Sequence, residues 1–562
     1  MPDTLQAPRP PRQSTVTPIL PPLLVDAGQA LAWSDTTDVL VVGWGAAGAC
    51  AAIEARAAGA EVLVLDRFGG GGASVLSGGV VYAGGGTPYQ QQAGFADTPQ
   101  AMQDYLRQEV NGMVSEATLQ RFCQDSAANL AWLEQQGVRF GASMPAHKTS
   151  YPPKGKFLYY SGNEVVPAYG SSQPAAPRGH RALSPGQSGA ALYAALQDST
   201  RKAGARTLTQ ASVRRLVQER LADGSPGRVL GVEVWQLPEG APATRRHAEL
   251  DGLVAQWRLY QQGRAEAARR EAAGIEQAQA QPRLIRARRG VILATGGHIY
   301  NPELVAQHAP AYRRGWKVGG AGCDGSGLRL GQSVGAAAAA LGAVSGWRFI
   351  TPPYSWPKGL VVNRRGARFC NEQVYGAKLG HEMIQHQEGR AWLLLDAGLR
   401  RRAVWECLFG GLWSFQALPA LALMFRYRTK AATLEALAAK IGADAATLRA
   451  TVDEANAAAR GEREDPLGKS ADMRRVLEKG PFYAINISIG EKMFPLATLS
   501  LGGLRVHEDS GQVLDAQGQP LPGLYAAGRT AVGIPSGGYI SGLSLADCVF
   551  SGRRAGRCAA SA

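Results

Sequence analysis

Seven cysteines are scattered along the chain, Cys50, Cys123, Cys323, Cys370, Cys407, Cys548 and Cys558, with no CxxC pair among them. That spacing speaks against a disulfide framework and against a zinc or iron–sulfur site, so no metal is expected and a reducing cytoplasm fits best. The first thirty residues are rich in proline and polar groups and lack a continuous apolar core, which argues against a secretory signal. Charged residues make up only 19% of the chain against 45% hydrophobic, a globular balance that excludes a mainly disordered protein. Nucleic-acid modules are absent too, although the formal net charge is +15; an anionic membrane surface or an acidic substrate stays open as the reason for that charge. The one long apolar run, 403–425, is bounded by Arg400-Arg401-Arg402 and Arg426-Tyr427-Arg428. Glu406, Gln416, the Gly410-Gly411 pair and Pro419 argue against a spanning helix. A buried core helix and a monotopic membrane contact, with Trp405 and Trp413 at the headgroups, remain alternatives.

Glycine, by contrast, is in excess: 70 of 562 residues, where the usual ~7% would give roughly 40. Glycine permits close backbone approach, and a large bound cofactor would account for it. The first strongly patterned segment is Asp38-Val39-Leu40-Val41-Val42, running into Gly43-Trp44-Gly45-Ala46-Ala47-Gly48, an alanine-rich stretch, and Glu61-Val62-Leu63-Val64-Leu65-Asp66. This reads as a βαβ unit. Gly43 permits the tight turn, Gly45 lets backbone touch a pyrophosphate at a helix N-terminus, Gly48 lets helix and strand pack, and Asp66 sits where an acid receives ribose hydroxyls. A second cluster, Gly69-Gly70-Gly71-Gly72-Ala73-Ser74 with Ser77-Gly78-Gly79, follows at once, suited to a chain lying along an extended dinucleotide.

Further strands are expected at 211–216, at Arg289-Gly290-Val291-Ile292-Leu293 ending in Ala294-Thr295-Gly296-Gly297, and at 521–526 ending in Ala527-Gly528-Arg529. The expected organisation is an N-terminal mobile arm (1–35), a cofactor domain in two parts (36–304 and 496–562), and a substrate or capping domain between them (305–495). Residues 244–289, with ten arginines and five acids, predict an amphipathic basic helix or helical hairpin inserted into the first part, a second candidate for a membrane surface.

Taken in order, these motifs together with Asp324-Gly325-Ser326-Gly327 and Gly523-Leu524-Tyr525-Ala526-Ala527-Gly528 resemble the fumarate reductase/succinate dehydrogenase flavoprotein superfamily over roughly residues 36–557. The resemblance implies an α/β fold, a discontinuous Rossmann-like FAD-binding domain with an inserted α+β capping domain. It also implies FAD held by Gly43, Gly45, Ala46, Ala47, Gly48, Asp66, Arg67, Gly72, Ala73, Ser74, Ser77, Gly78, Gly79, Val213, Ala294, Thr295, Gly296, Gly297, Asp324, Gly528, Arg529, Ser544 and Leu545. A helix beginning near Leu543 would aim its positive end at the flavin. His298 follows the flavin glycines without any flavin-linking pattern, so the FAD is expected to be non-covalent.

The stretch after Arg529 reads Ile534-Pro535-Ser536-Gly537-Gly538-Tyr539-Ile540-Ser541-Gly542 and contains no cation to clamp a dicarboxylate. A tyrosine and a serine in a glycine-rich, apolar setting suit a neutral ketone, and the segment is most similar to the Δ4 branch of the 3-ketosteroid dehydrogenases. The run Asn363-Arg364-Arg365-Gly366-Ala367-Arg368-Phe369-Cys370-Asn371-Glu372 matches a family pattern that makes Tyr375 a further candidate. Introducing a C4–C5 double bond removes a proton from C4 and a hydride from C5. The implied roles are flavin as hydride acceptor and Tyr539, Ser541 and Tyr375 as ketone polariser and proton relay, with an external electron acceptor of unknown identity. The Δ1-dehydrogenases, a flavin-dependent enone reductase and a non-enzymatic, membrane-bound electron carrier are the competing readings.

Overall fold

The computed structural model describes residues 14–170 and 173–562. The apolar runs build a nine-stranded sheet from β1 (Leu23–Asp26), β2 (Asp35–Val42), β3 (Val62–Leu65), β4 (Arg206–Leu208), β5 (Ala211–Arg220), β6 (Pro226–Gln236), β7 (Gln281–Leu293), β8 (Gln512–Leu514) and β9 (Pro520–Ala526). Its main path runs β1-β5-β6-β7-β2-β3-β4. The long β7 changes neighbour along its length, pairing antiparallel with β6 at Gln281–Arg286 and parallel with β9 at Val291–Leu293. Strands β2, β3 and β7 are parallel, with Val39 opposite Val62 and Gly290. Their almost uninterrupted burial is what a parallel sheet covered on both faces requires.

Helix α1 (Ala46–Ala57) crosses from β2 to β3, and its alanines leave it buried nearly all round. A Cβ at Gly48 would lie 1.9 Å from the Gly43 carbonyl oxygen, so only glycine lets α1 start this close to β2. Gly43 itself has φ +102°, the left-handed region that favours glycine.

The expectation of a mobile N-terminal arm is corrected for residues 14–35; residues 1–13 lie outside the described residues. Strand β1 pairs with β5, and Thr17 is buried, its amide and hydroxyl donating to Asp324 Oδ2 at 2.7 and 2.6 Å. These bonds satisfy a buried carboxylate, which is why a proline-rich, polar segment is nonetheless ordered.

Residues 237–280 leave the sheet between β6 and β7 as a hairpin of α2 (Pro242–Trp257) and α3 (Gln262–Gln279). It folds back onto the sheet edge rather than into solvent. His247 Nε2 lies 2.9 Å from Glu276 Oε1 and its ring stacks on Phe68 at 4.9 Å, while Glu276 accepts from both Arg67 and Arg214 at 2.6 Å. Arg246 pairs with Glu271, and Arg288 with Asp38 and Glu61. Four of the ten arginines of 244–289, Arg246, Arg269, Arg288 and Arg289, pair with carboxylates of the protein.

The interruption 305–495 does not fold as one unit. Helix Ser326–Ser333 and Ala336 pack Leu328, Leu330 and Val334 into the core of the main sheet beside Leu40 and Val213, so this portion belongs with the cofactor domain. The cap proper is built on an antiparallel sheet of Leu360–Val362, Trp392–Leu395, Phe482–Asn486 and Arg428–Ala431, covered by α4 (Gly376–His386), α5 (Ala397–Phe409) and α6 (Ser414–Phe425). The apolar run 403–425 is thus two helices, broken at Gly410-Gly411, where Gly411 has φ +69°. Glu406 turns inward to accept from the Ser355 amide and hydroxyl at 2.9 and 2.6 Å. Among the described residues, no helix is long and apolar enough to cross a membrane. The chain ends in α7 (Leu543–Ala560), which lies along α1.

Burial raises the Glu276 carboxyl, but Arg67, His247 and Arg214 outweigh it and hold the group at about 2. A depressed carboxylate adds stability above its unfolded value near 4.3 that is lost as pH falls through about 2. Glu276→Gln should lower unfolding stability by about 3–5 kcal/mol at neutral pH, because Arg214 loses its carboxylate and Arg67 one of its two, and should flatten the loss of stability between about pH 4 and pH 2. Denaturant titrations across that range check both; an unchanged midpoint at neutral pH would show that the cluster is not holding the hairpin.

Candidate active site

The cofactor glycines and the cap enclose one long cavity of about 510 Å³. Of the residues expected to hold FAD, Gly43, Gly45, Ala46, Ala47, Asp66, Arg67, Gly72, Ala73, Ser74, Ser77, Gly78, Val213, Ala294, Thr295, Gly296, Arg529, Ser544 and Leu545 line it. Gly48, Gly79, Gly297 and Gly528 stand behind the wall as close-packing positions; a Cβ at Gly79 would sit 2.3 Å from the Ser188 carbonyl carbon and one at Gly297 2.4 Å from Ser500 Oγ. Asp324 is corrected to a structural role. It is fully buried and is satisfied by Thr17, Arg67 and the Ser326 amide, so it braces the wall without facing the cavity.

The residues present fit a dinucleotide. Helices α1 and α7 begin at Gly45 and Gly542, neither of which has a side chain to cap the helix, and their first turns, Ala46-Ala47 and Ser544-Leu545, line the cavity. At α1 the Ala46 amide donates to Ser74 Oγ at 3.0 Å. Two helix N-termini with their positive dipole ends on the cavity suit a pyrophosphate and an electron-rich flavin edge. Ser212 Oγ is buried without a hydrogen-bond partner beside Val213, on the same cavity. Asp66 closes the first turn: Oδ2 accepts from the Trp44 amide at 2.8 Å, and Oδ1 from Phe68 and Gly70 at 2.8 and 3.2 Å. Burial raises its carboxyl against the pull of these amides, and acceptor capacity remains for ribose hydroxyls.

At the other end the cavity is lined by Trp347, Phe349, Tyr375, Phe415, Leu423, Phe494 and Tyr539. Trp347 packs its ring 5.2 Å from Tyr539 and 6.1 Å from Phe349, which in turn meets Tyr375 edge to face at 5.5 Å. Flat apolar molecules fit such a wall. Of the cavity's cations, Arg529 contacts Ser500 O and Cys323 Sγ, and Arg67 is paired with Glu276 and Asp324.

The three candidate catalytic residues meet here. Ser541 is pinned by its backbone, its amide donating to Ser161 O at 3.2 Å and its carbonyl accepting from Ser161 Oγ at 3.1 Å. It does not cap the helix that follows; Gly542 holds that position with φ +90°. Its hydroxyl lies 3.0 Å from Tyr159 Oη and acts to lower the Tyr375 hydroxyl's pKa, against the larger effect of burial. Tyr375 is the N-cap residue of α4, and its amide donates to Asn163 Oδ1 at 2.6 Å. The segment 159–163 thus frames both Ser541 and Tyr375, and the sequence reading missed it. A tyrosine pair before a Ser-Gly-Asn turn was the available signal, and nothing in its spacing distinguishes it from packing. Burial pushes the Tyr539 hydroxyl up to about 12, against the lowering effect of Arg529, and raises Tyr375 and Tyr159 further. All three are therefore protonated donors at neutral pH.

Comparison with known proteins follows this geometry. The FAD-binding domain family matches residues 38–542. A 3-oxo-5-alpha-steroid 4-dehydrogenase of Comamonas testosteroni is 56% identical over 525 residues, covering 92% of this chain and 96% of the relative. A 3-oxosteroid 1-dehydrogenase of Mycobacterium tuberculosis is 27% identical, covering 91% and 98%. Among solved structures, a 3-ketosteroid-Δ4-(5α)-dehydrogenase from Rhodococcus jostii, in complex with 4-androstene-3,17-dione, superposes with TM-score 0.80 at 30% identity, covering 96% of this chain and all of that one.

An amide at position 66 would offer one acceptor oxygen where the carboxylate has two, leaving at least one of the Trp44, Phe68 and Gly70 amides facing an NH2 group. Asp66→Asn should cost about 1–3 kcal/mol of stability and lower the flavin-to-protein absorbance ratio. Unaltered unfolding together with full flavin content would remove Asp66 from this role.

Proposed function

The chain belongs to the FAD-binding-domain flavoproteins, in their 3-oxosteroid dehydrogenase branch, and from that premise we propose how its own residues carry out desaturation at C4–C5 of a 3-oxo-5α-steroid. The observation that carries the reading is the convergence of Tyr539, Ser541 and Tyr375 on the aromatic end of a cavity whose other end is built for a dinucleotide. FAD, when bound, supplies the acceptor for the hydride leaving C5. The aromatic wall holds the fused rings flat and keeps water from them. Tyr539, protonated and facing the cavity, donates to the C3 ketone oxygen and so acidifies the proton on C4. Tyr375 Oη takes that proton while giving its own to Ser541 Oγ, Ser541 gives its own to Tyr159 Oη, and Tyr159 releases its own to solvent water, so that one proton leaves the chain for each one that enters it. Each hydroxyl accepts a proton as it releases one, so no buried tyrosinate has to form. That matters because burial disfavours the anion at every step of the chain.

Access follows from the cap. Trp405, Leu408, Phe409, Phe415, Leu418, Phe425 and Tyr427 are all exposed, and these residues of 405–427 make up more than half of the large exposed apolar side chains among the described residues. Phe415, Pro419, Ala420 and Leu423 of α6 line the cavity, and Phe415, Leu418 and Phe425 of the same helix are exposed, so the patch and the substrate end share α6. Arg401, Arg402 and Arg426 are exposed around it. Of the two tryptophans expected at the headgroups, Trp405 is 59% exposed, whereas Trp413 turns inward and donates from Nε1 to Pro152 O at 3.0 Å. We assign this patch as a contact with an anionic bilayer, from which a poorly soluble steroid is drawn. Burying about four of its side chains, at roughly 1.5–3 kcal/mol each, exceeds what one myristoyl chain provides.

Tyr539→Phe keeps the ring and deletes the donor, so turnover of a 5α-3-ketosteroid with an artificial electron acceptor should fall by roughly 10²-fold or more with flavin retained. Product analysis accompanies it: a C4–C5 double bond is expected, and a C1–C2 double bond would move the chain to the Δ1 reaction. For the membrane contact, the holoenzyme should float with anionic liposomes and be released by detergent more completely than by salt. The pair Phe409→Asp and Leu418→Asp should abolish flotation, and a wild-type protein that stays with the soluble fraction would refute the assignment.

A further inference from the structure

The hairpin α2–α3 has no topological reason to exist. Strands β6 and β7 are antiparallel neighbours with Gln236 opposite Gln281, so a short turn would join them. The chain instead forms two helices whose inner face, Leu250, Val254, Ala265, Ala268 and Ala272, packs on Phe68 and Ala321. Phe68 directly follows Asp66-Arg67, and Ala321 lines the cavity, so this small core is anchored to the cavity wall.

The hairpin also contributes side chains to the cavity itself. Asp251, Arg258, Leu259 and Tyr260 line it, none of them part of a glycine motif. Arg258 lies where α2 ends, its Nη1 donating to Ala255 O and its Nη2 to Leu76 O at 3.5 Å, beside the Gly72–Gly78 loop. Its Nε is buried with no hydrogen-bond partner, and among the described residues no carboxylate pairs with it. Burial pulls its guanidinium pKa down, as expected for a cation that has lost water without gaining an anion. The two other arginines on the cavity have partners already: Arg67 has two carboxylates, and Arg529 has Ser500 O and Cys323 Sγ.

A guanidinium left unpaired on a cavity built for a dinucleotide matches one group of that ligand, the doubly charged pyrophosphate. We propose that the α2–α3 hairpin is a clamp that closes over bound FAD, with Arg258 supplying the cation that pairs with its pyrophosphate. The inference rests on FAD binding alone and does not depend on the steroid reaction. The clamp would act mainly on cofactor residence, since the glycine turns and helix N-termini already provide recognition.

The test is FAD release from the holoenzyme, followed as the rise in free-flavin fluorescence after dilution. Arg258→Gln should release FAD about 10-fold faster or more, the loss of one charge-assisted contact, with Arg258→Lys in between. Release from Arg258→Gln at the wild-type rate would overturn the proposal. Should that variant fail to fold, trypsin cleavage of the wild type after the exposed Arg264 at the hairpin tip decides instead. Loading with FAD should slow that cleavage, and equal rates with and without FAD would overturn the clamp. Both readouts are independent of steroid turnover, so a failure of the reaction assignment leaves them interpretable.

Discussion

Helix α7 lies so close to α1 that a Cβ at Gly552 or Gly556 would stand 2.4 or 2.3 Å from the carbonyl oxygens of Ala47 and Ala51. This contact joins the two ends of a discontinuous domain, and the site depends on it. The N-terminus of α1 carries Gly45, Ala46 and Ala47 on the cavity; that of α7 carries Ser544 and Leu545, directly after Tyr539 and Ser541. Backbone-to-backbone packing at Gly552 and Gly556 leaves little freedom for sliding, and Glu54 of α1 pairs with Arg553 and Arg557 of α7 beside it. Cofactor and catalytic hydroxyls are therefore positioned by the same helix pair. Larger residues at 552 or 556 would displace the chemistry together with the fold.

What was legible in the sequence was whatever the backbone alone dictates. A glycine at 43 or 48 reports a backbone position that no other residue tolerates, so the turn, the crossover helix and the acid at 66 follow from local pattern. Tyr539 and Ser541 stood out as candidates because glycines flank them, and the structure brings both to the cavity. Tyr159 was not legible, since its role is set by a contact with Ser541 across 382 positions of chain, and a buried tyrosine ordinarily reads as packing. Nor was the bond between Thr17 and Asp324: the resemblance put Asp324, which opens the Asp324-Gly325-Ser326-Gly327 motif, on the cofactor, and the proline-rich terminus suggested a mobile arm, whereas Thr17 donates to Asp324. Long-range hydrogen bonds of this kind leave no periodicity to read.

Burial raises the Glu276 carboxyl and the tyrosine hydroxyls alike, and the charges around each group decide the outcome. In the cluster of Arg67, Arg214, His247 and Glu276 the carboxyl stays ionised, because several cations surround it and outweigh desolvation. Around the reacting end the opposite holds: no cation is close enough to offset burial, and Tyr539, Tyr375 and Tyr159 are all pushed upward. The first arrangement fixes structure. The second gives a chain of neutral hydroxyls, suited to passing a proton without accumulating charge in an apolar cavity.

That contrast also explains how one cavity can take two ligands so unlike each other. Helix N-termini, amide-lined turns and an arginine at the dinucleotide end offer fixed positive potential to phosphates, whereas the aromatic end offers only hydroxyls and ring faces. A dicarboxylate at the reacting end would bring two charges to a wall with no free cation to receive them, and its desolvation would go uncompensated. A neutral ketone brings a single acceptor, which one tyrosine hydroxyl satisfies. The few residues between Arg529 and α7 carry no cationic side chain. In this chain those residues are Tyr539 and Ser541 set among glycines, and the rest of the fold presents them to an apolar, flat and uncharged molecule.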